Sequence, residues 1–288
     1  MSNLDRTKFN ETVAKGFNFI PLSLSWPADL ETPLSTWLKV GLDKPPGVLL
    51  ESIEGGENLG RWSVVATNPL WVATAHGNKI KRQWRSGESE EFTGNPFEGI
   101  RTWLDPYHIA VTSELPPLGQ VYGMWGYELI QWIEKTVPVH SGDERDLPDG
   151  VWMLMDSVLI IDQVKRVITA VAYADLTNEE PIDLVWESTI SRLEDLKEQI
   201  SRPIPNVQPL EWNPKGSAEL STSSSCSKIQ FEQAVDTVKE HIAAGDVFQL
   251  VLSQCLEARS DKQPLDMYRS LRMVNPSPYM AFFDFGDW

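Results

Sequence analysis

The first residues that could do chemistry are a carboxylate and a hydroxyl at the end of a predicted buried strand. Glu51 and Ser52 follow the apolar run of residues 48–50 and precede Gly55 and Gly56. Side chains in this position can form hydrogen bonds with a small polar ligand at the strand end. The alternative is a surface turn that uses Glu and Ser because both are soluble, and the residues alone favour that turn.

A second segment with a restricted backbone follows more than two hundred residues later. Pro276 and Pro278 bracket Ser277, and each proline fixes its own φ and removes a backbone donor. Residues 279–285 then have the composition of a strand, and residues 286–287 that of a turn. The sequence therefore predicts a rigid turn that leads into a strand.

A helix and an asymmetric strand are predicted just before that turn. Ser227 and Gln230 have the spacing of a capping box, and Gly245 can end a helix of residues 228–244 in the left-handed conformation. Residues 247–254 then alternate between an apolar face and a mixed face that includes Gln249. One face would be buried, and the other could meet a polar group.

These segments together resemble the large component of anthranilate synthase, a family of chorismate-using enzymes. The motifs that carry the resemblance are residues 49–56, 60–63, 123–128, 244–254 and 275–280. The resemblance covers residues 19–288. It implies an α+β fold of layered antiparallel sheets with flanking helices, in which the second, chorismate-binding domain is incomplete.

The resemblance also implies a feedback site for L-tryptophan. In this family the segment at Glu51 and Ser52 and the segment Pro278-Tyr279-Met280 form that site together. Ser52, Pro278, Tyr279 and Met280 are the principal candidates, with Glu51 and Arg61 as secondary ones. Acceptors such as Glu51 and Ser52 could bind the ammonium, Arg61 the carboxylate, and Tyr279 and Met280 the indole.

The activity implied by the family is the conversion of chorismate and ammonia, with magnesium, to anthranilate and pyruvate. The ammonia would come from glutamine through a glutamine amidotransferase subunit, component II. The family's catalytic and magnesium-binding residues come after residue 288, so we assign no catalytic or metal-binding residue and expect no turnover from this segment. Gln249 is a candidate neighbour of the active site; a polar residue on a solvated strand face is an equal alternative. Cys255 departs from the family, where an arginine is usual.

Two other functions remain open from the sequence. Aminodeoxychorismate synthase component I shares the chorismate domain, and the residues that separate the two enzymes lie beyond Trp288. A non-catalytic tryptophan-binding fragment is the alternative from another class. Tryptophan binding and the identity of the product would discriminate among these functions.

Composition excludes several other classes. The formal net charge of −16 over 288 residues argues against a nucleic-acid surface. No apolar run approaches the roughly 18 residues of a membrane span, and the first residues lack the form of a signal peptide. Two cysteines without a metal-binding or redox spacing indicate reduced thiols. We therefore expect a soluble, cytoplasmic protein.

Composition also predicts the division of the chain. Four prolines and then a run of serines and threonines mark a linker at residues 201–227. It would separate a regulatory framework domain, residues 1–200, from the beginning of the catalytic domain, residues 228–288. Residues 179–200 form a predicted helix whose charged face, including Arg192, is explained by solvent. Strands are further predicted at residues 17–22, 48–50, 79–81 and 121–127, with an antiparallel pair at residues 61–66 and 70–75 and a hairpin of residues 151–161 and 165–173 that turns at Asp162. Helices are predicted at residues 33–40, with Thr32 as the N-cap, and at residues 96–104, 128–135 and 264–273.

Overall fold

The computed structural model describes residues 2–52, 60–116, 119–138, 147–210 and 221–286. By contacts, the chain forms two compact units, one of Met1–Gln208 with Arg272–Trp288 and one of Pro209–Leu271. The predicted domain bounds, 1–200, 201–227 and 228–288, stay a prediction. Some predicted features lie outside the described residues, namely Gly55 and Gly56, residues 211–220 of the linker, and Asp287 of the turn.

Most of the strands in the described residues belong to the first unit. The strands are β1 (Ser2–Asn3), β2 (Phe19–Pro27), β3 (Gly47–Glu51), β4 (Trp62–Thr67), β5 (Trp71–His76), β6 (Lys79–Trp84), β7 (Ser89–Thr93), β8 (Val121–Trp125), β9 (Gly150–Leu154), β10 (Ser157–Asp162), β11 (Val167–Asp175), β12 (Thr222–Ser224), β13 (Leu256–Ala258) and β14 (Met280–Asp284). The helices are α1 (Arg6–Ala14), α2 (Pro33–Val40), α3 (Pro96–Leu104), the 3₁₀ helix Tyr127–Trp132, α4 (Ile182–Ser201), α5 (Lys228–Ala244) and α6 (Pro264–Val274).

The first unit contains two antiparallel sheets. One has seven strands in the order β1-β2-β11-β10-β4-β3-β14, and the other has five in the order β7-β6-β5-β9-β8. Helix α4 packs on β11 and β2, and α2 packs on β3 and β4. The second unit contains α5 and the two-stranded antiparallel pair β12-β13. The predicted α+β class with layered antiparallel sheets is confirmed.

The core of the first unit lies between the sheets and under α3. One buried cluster joins Val48 and Ile160 of the seven-stranded sheet to Tyr122 and Met153 of the five-stranded sheet. A second cluster packs Trp71, Ala73 and Ala75 of β5 against Ile100 and Trp103 of α3. Because residues alternate between the two faces of a strand, the five-stranded sheet can contribute to both clusters. The seven-stranded sheet, which carries the candidate site residues, thus rests on a continuous apolar layer.

Helices with local capping signals lie where the sequence predicts them. Helix α5 covers the predicted residues, with the Ser227 backbone N–H donating to the Gln230 side chain over 2.9 Å. Gly245 ends it at a φ of 85°. Pro96 begins α3 and Thr32 caps α2, as predicted. These predictions succeed because the capping residues satisfy free N–H groups of the first helical turn locally.

The predicted strand at residues 247–254 is wrong. Within the described part of that region, the strand is β13, at Leu256–Ala258, and its partner β12 is equally short. Phe248 is 94% exposed and Val251 is 82% exposed. The alternating pattern indicates a strand only if a partner strand is present to accept its hydrogen bonds, and the described residues provide none for this segment.

Two predictions of strand continuity are also corrected. The predicted strand at residues 151–161 divides at Met155 and Asp156 into β9 and β10, which belong to different sheets. Strands β4 and β5, which were expected as an antiparallel pair, likewise belong to different sheets. A run of apolar residues predicts burial but does not state which sheet supplies the hydrogen bonds. The predicted helix at residues 128–135 is instead the 3₁₀ helix Tyr127–Trp132.

The charge pattern predicted that Arg192 lies on a solvated face of α4, and this prediction is wrong. Its guanidinium donates to the backbone oxygens of Tyr173, at 2.6 Å, and Asp156, at 3.1 Å. It also pairs with the Asp156 carboxylate at 2.8 Å. Arg192 therefore attaches α4 to the seven-stranded sheet.

Candidate functional site

The two segments predicted to form a site are neighbours in the seven-stranded sheet. Strand β14 pairs with β3 in an antiparallel register that places Met280 opposite Glu51. In an antiparallel pair the residue after Glu51 and the residue before Met280 leave the sheet at the same end. The structure therefore brings Ser52 and Tyr279 to one corner of the sheet, although they are 227 positions apart in sequence.

Three hydrogen bonds hold Ser52 at this corner. Its hydroxyl donates to the Trp62 backbone oxygen over 2.7 Å, and its backbone N–H donates to the Ser63 hydroxyl over 3.1 Å. The Gln163 side-chain amide donates to the Ser52 backbone oxygen over 2.7 Å. Ser52 is 5% exposed, so a bulky replacement would have to displace these partners. The hydroxyl, which donates to Trp62, keeps lone pairs that can accept from a ligand.

Glu51 is engaged by an arginine that sequence reasoning missed. Arg272 of α6 donates from Nη2 to Glu51 Oε1 over 2.7 Å, and its Nε lies 2.7 Å from Oε2. The Glu51 side chain is 3% exposed and that of Arg272 is 25% exposed. This two-point contact neutralises a buried carboxylate, which would otherwise be costly.

Arg61 is engaged by a second acidic residue that the sequence did not single out. Its Nη2 donates to Asp162 Oδ2 over 2.6 Å, its Nε donates to Oδ1 over 3.1 Å, and its guanidinium lies 4.4 Å from the Trp62 ring. Burial opposes ionisation of Asp162, but the hydrogen bonds from Arg61, Lys165 and Val164 outweigh it. The pKa of the Asp162 carboxyl is consequently lowered. Asp162 had been interpreted only as part of a hairpin turn.

We expect Asp162→Asn to destabilise the protein at pH 7, and the difference from the unmutated chain to shrink below about pH 4. The pKa of aspartate in unfolded chains is about 3.9, and folding lowers the pKa of Asp162. Its stabilisation is therefore present above the unfolded pKa and lost as pH falls through the folded pKa. Urea unfolding at several pH values measures this. Asp261→Asn, at a side chain that is 90% exposed, is the control; an unchanged difference at all pH values would contradict the assignment.

The opposite side of the corner is open to solvent. Pro278 is exposed, Tyr279 is 66% exposed, and Met280 is half-buried. The Tyr279 ring is therefore accessible to an incoming ligand. The sheet corner combines one buried, hydrogen-bonded half at Ser52 with one accessible half at Pro278 and Tyr279.

The remaining residues that the sequence singled out belong to the second compact unit. Gln249 is exposed and belongs to the second compact unit, and Cys226 and Cys255 are free thiols. Among the described residues, no group of three or more His, Cys, Asp or Glu side chains could hold a metal ion. The described chain therefore offers no fit for magnesium, and magnesium stays an implication of the resemblance.

Comparison with known proteins assigns a family to this arrangement. The chorismate binding enzyme family matches residues 49–288, which include β14 and the last three residues of β3. The chain belongs to the chorismate binding enzyme family. In the part of the chain that the structure describes, no helix is long and apolar enough to cross a membrane.

The most informative relatives are anthranilate synthases. The chain is 43% identical to anthranilate synthase component 1 of Synechocystis sp. over 286 residues, which are 97% of this chain and 56% of that protein. Identity to the Pseudomonas putida protein of that name is 34% over 288 residues, or 99% of this chain and 57% of that protein. The crystal structure of anthranilate synthase component I from Streptococcus pneumoniae TIGR4 matches with a TM-score of 0.63 and 26% identity.

These relatives are longer than the chain. The match to the Streptococcus structure covers 91% of this chain and 55% of that one, so the chain spans about half the length of the proteins it resembles. The predicted resemblance to the amino-terminal portion of anthranilate synthase component I is confirmed as homology.

Proposed function

We propose that the chain is the regulatory portion of an anthranilate synthase component I and that its sheet corner binds L-tryptophan. The observation that carries the proposal is the register of β3 and β14, in which Met280 lies opposite Glu51. That register supports joining two sequence segments that the resemblance assigns to one feedback site. Homology to anthranilate synthases over about 56% of their length supports the rest.

The corner has the groups that a zwitterionic aromatic amino acid needs. The ammonium would be bound by the Ser52 hydroxyl and the backbone carbonyls at the strand ends. The Arg61 side chain, 28% exposed beside Asp162, would face the carboxylate. The indole would pack on Tyr279 and Met280, because aromatic and thioether side chains both make favourable contacts with a ring.

The activity proposed for the whole enzyme is the formation of anthranilate and pyruvate from chorismate and ammonia. A glutamine amidotransferase subunit would supply the ammonia, and magnesium would assist the reaction. A product assay on a protein that also contains the family's catalytic residues, measuring anthranilate against aminodeoxychorismate, discriminates this activity from the related synthase. Tryptophan inhibition of the same assay would connect the sheet corner to catalysis.

We expect L-tryptophan to bind the chain in isothermal titration calorimetry and Tyr279→Ala to weaken that binding about tenfold. One lost aromatic contact of about 0.5–1.5 kcal/mol, together with its lost burial, supports that magnitude. Because Tyr279 is 66% exposed, the substitution should leave folding intact. Ser52→Phe should abolish binding, since the ring would occupy the buried half of the corner.

Tyr127→Ala is the matched control for Tyr279→Ala. Tyr127 is 94% exposed and lies in the 3₁₀ helix beside the other sheet, so its loss should not change the affinity. If the unmutated chain binds no tryptophan, the proposed site is refuted. If Tyr127→Ala and Tyr279→Ala weaken binding equally, the ligand does not bind at the sheet corner.

A further inference from the structure

One short segment is attached to Glu51 at both of its ends. The Arg272 side chain binds the Glu51 carboxylate, and the Met280 backbone lies opposite the Glu51 backbone in the sheet. Residues 272–280, which we name the clamped loop, are therefore connected to Glu51 at both ends. Pro278 and Tyr279 belong to this loop and lie near its second attachment.

The side-chain attachment of the clamped loop is costly to break. Glu51 is 4% exposed; Arg272 donates a hydrogen bond to its Oε1 atom, and the Arg272 Nε atom lies 2.7 Å from its Oε2 atom. Removal of one partner of a buried ion pair leaves an uncompensated charge, which penalises every conformation in which the pair is broken. The Glu51–Arg272 pair thus holds the first residue of the clamped loop near β3.

The middle of the clamped loop has little packing of its own. Pro276, Ser277, Pro278 and Tyr279 are all exposed. Their positions accordingly depend on the two attachments and on the restricted φ of the two prolines. A loop held at both ends has lost much of its conformational entropy before a ligand arrives, and this prior ordering increases ligand affinity.

We propose that Arg272 is a positioning residue that sets the affinity of the sheet corner for an aromatic amino acid. The inference rests on the proposed function, and it assigns Glu51 to Arg272 rather than to direct contact with the ligand's ammonium. Arg272 acts by holding Pro278 and Tyr279 over Ser52. The Glu51–Arg272 pair would therefore change the affinity for the amino acid without touching it.

The test compares L-tryptophan affinity in Arg272→Gln, Arg272→Lys and the unmutated chain by calorimetry. We expect Arg272→Gln to weaken binding about tenfold, because loop ordering must then be supplied at binding. Arg272→Lys, which keeps the charge but loses the two-point contact, should weaken it less. Arg202→Gln is the control, since Arg202, at the end of α4 in the same unit, pairs with Glu198 at 2.7 Å and its side chain is 61% exposed.

A double-mutant cycle shows whether the effect passes through Glu51. Glu51→Gln with Arg272→Gln should weaken binding no more than Arg272→Gln alone, because each change removes the same contact. Additive losses would overturn the assignment of Glu51 to Arg272. Unchanged or tighter binding in Arg272→Gln would overturn the proposal. Tighter binding would indicate that Arg272 competes with the ligand's ammonium for the Glu51 carboxylate.

Hydrogen exchange separates failure of the clamped loop from failure of the tryptophan site. Without ligand, the amides of residues 279–281 should exchange faster in Arg272→Gln than in the unmutated chain, while those of β10 and β11 stay unchanged. If the unmutated chain binds no tryptophan, the proposed function is refuted. Hydrogen exchange at residues 279–281 then still tests whether Arg272 orders the clamped loop. Equal exchange at residues 279–281 in both proteins would overturn the loop's dependence on Arg272.

Discussion

Gly123→Ala is expected to destabilise the protein by about 3 kcal/mol or more, at the upper end of the cost of overpacking. A Cβ atom built on Gly123 would lie 1.9 Å from the backbone oxygen of Val151 and 2.9 Å from the Cα of Trp152. Both atoms belong to the backbone of β9, the partner of β8. Since neither atom can rotate away as a side chain can, the two strands would have to separate.

Urea unfolding of Gly123→Ala and Gly119→Ala measures this effect with a close control. Gly119 lies four residues earlier, and a Cβ atom there would meet nothing within 4 Å. Gly119→Ala should therefore change the free energy of unfolding by about 0.5 kcal/mol or less. Equal stabilities of the two variants would contradict the close approach of β8 and β9.

The close contact at Gly123 was predictable in kind but not in detail. A glycine within a strand indicates a bulge or a close backbone approach, and the structure shows the latter. The identity of Val151 as the contacting residue could not be predicted, because the pairing of β8 with β9 joins segments about thirty residues apart. Local signals specify a conformation; the partner is specified by packing over the whole fold.

The same division explains the candidate site. Ser227, Gln230 and Gly245 determine the ends of α5 through neighbours in sequence, so that helix was predicted to the residue. The meeting of Ser52 with Tyr279 depends on a register between distant strands, and only the resemblance to a known family predicted it. From the residues alone, a surface turn at Ser52 was the favoured interpretation.

Ion-pair partners were the features least accessible to sequence reasoning. Arg272 and Asp162 bind Glu51 and Arg61, from which they are separated by 221 and 101 residues. Charged residues on helices and turns are usually solvated, and no spacing rule distinguishes the exceptions. Arg192 shows the same limit, since its partner Asp156 lies 36 residues away at the break between β9 and β10.

Asp156→Asn is expected to lower the free energy of unfolding by about 3 kcal/mol, as removal of one partner of a buried ion pair does. Asp156 is 6% exposed, and both Arg85 and Arg192 bind its Oδ2 atom. The pKa of the Arg192 guanidinium is lowered, chiefly by burial and also by the positive charge of Arg85, while the Asp156 carboxylate opposes this shift. Without the carboxylate, the two arginines would repel one another at the attachment of α4 to the sheet.

The repulsion can be separated from the loss of hydrogen bonds by a second substitution. Arg85→Met in the Asp156→Asn background removes one of the two positive charges, while its aliphatic side chain keeps most of the packing of the arginine stem. We expect it to restore part of the lost stability, although Arg85→Met alone should be destabilising because it weakens the neutralisation of Asp156. Asp183→Asn, at a side chain 81% exposed and paired with Arg6, should cost about 0.5 kcal/mol or less, as exposed pairs do. If Asp156→Asn costs no more than Asp183→Asn in urea unfolding, the attachment of α4 does not depend on this charge.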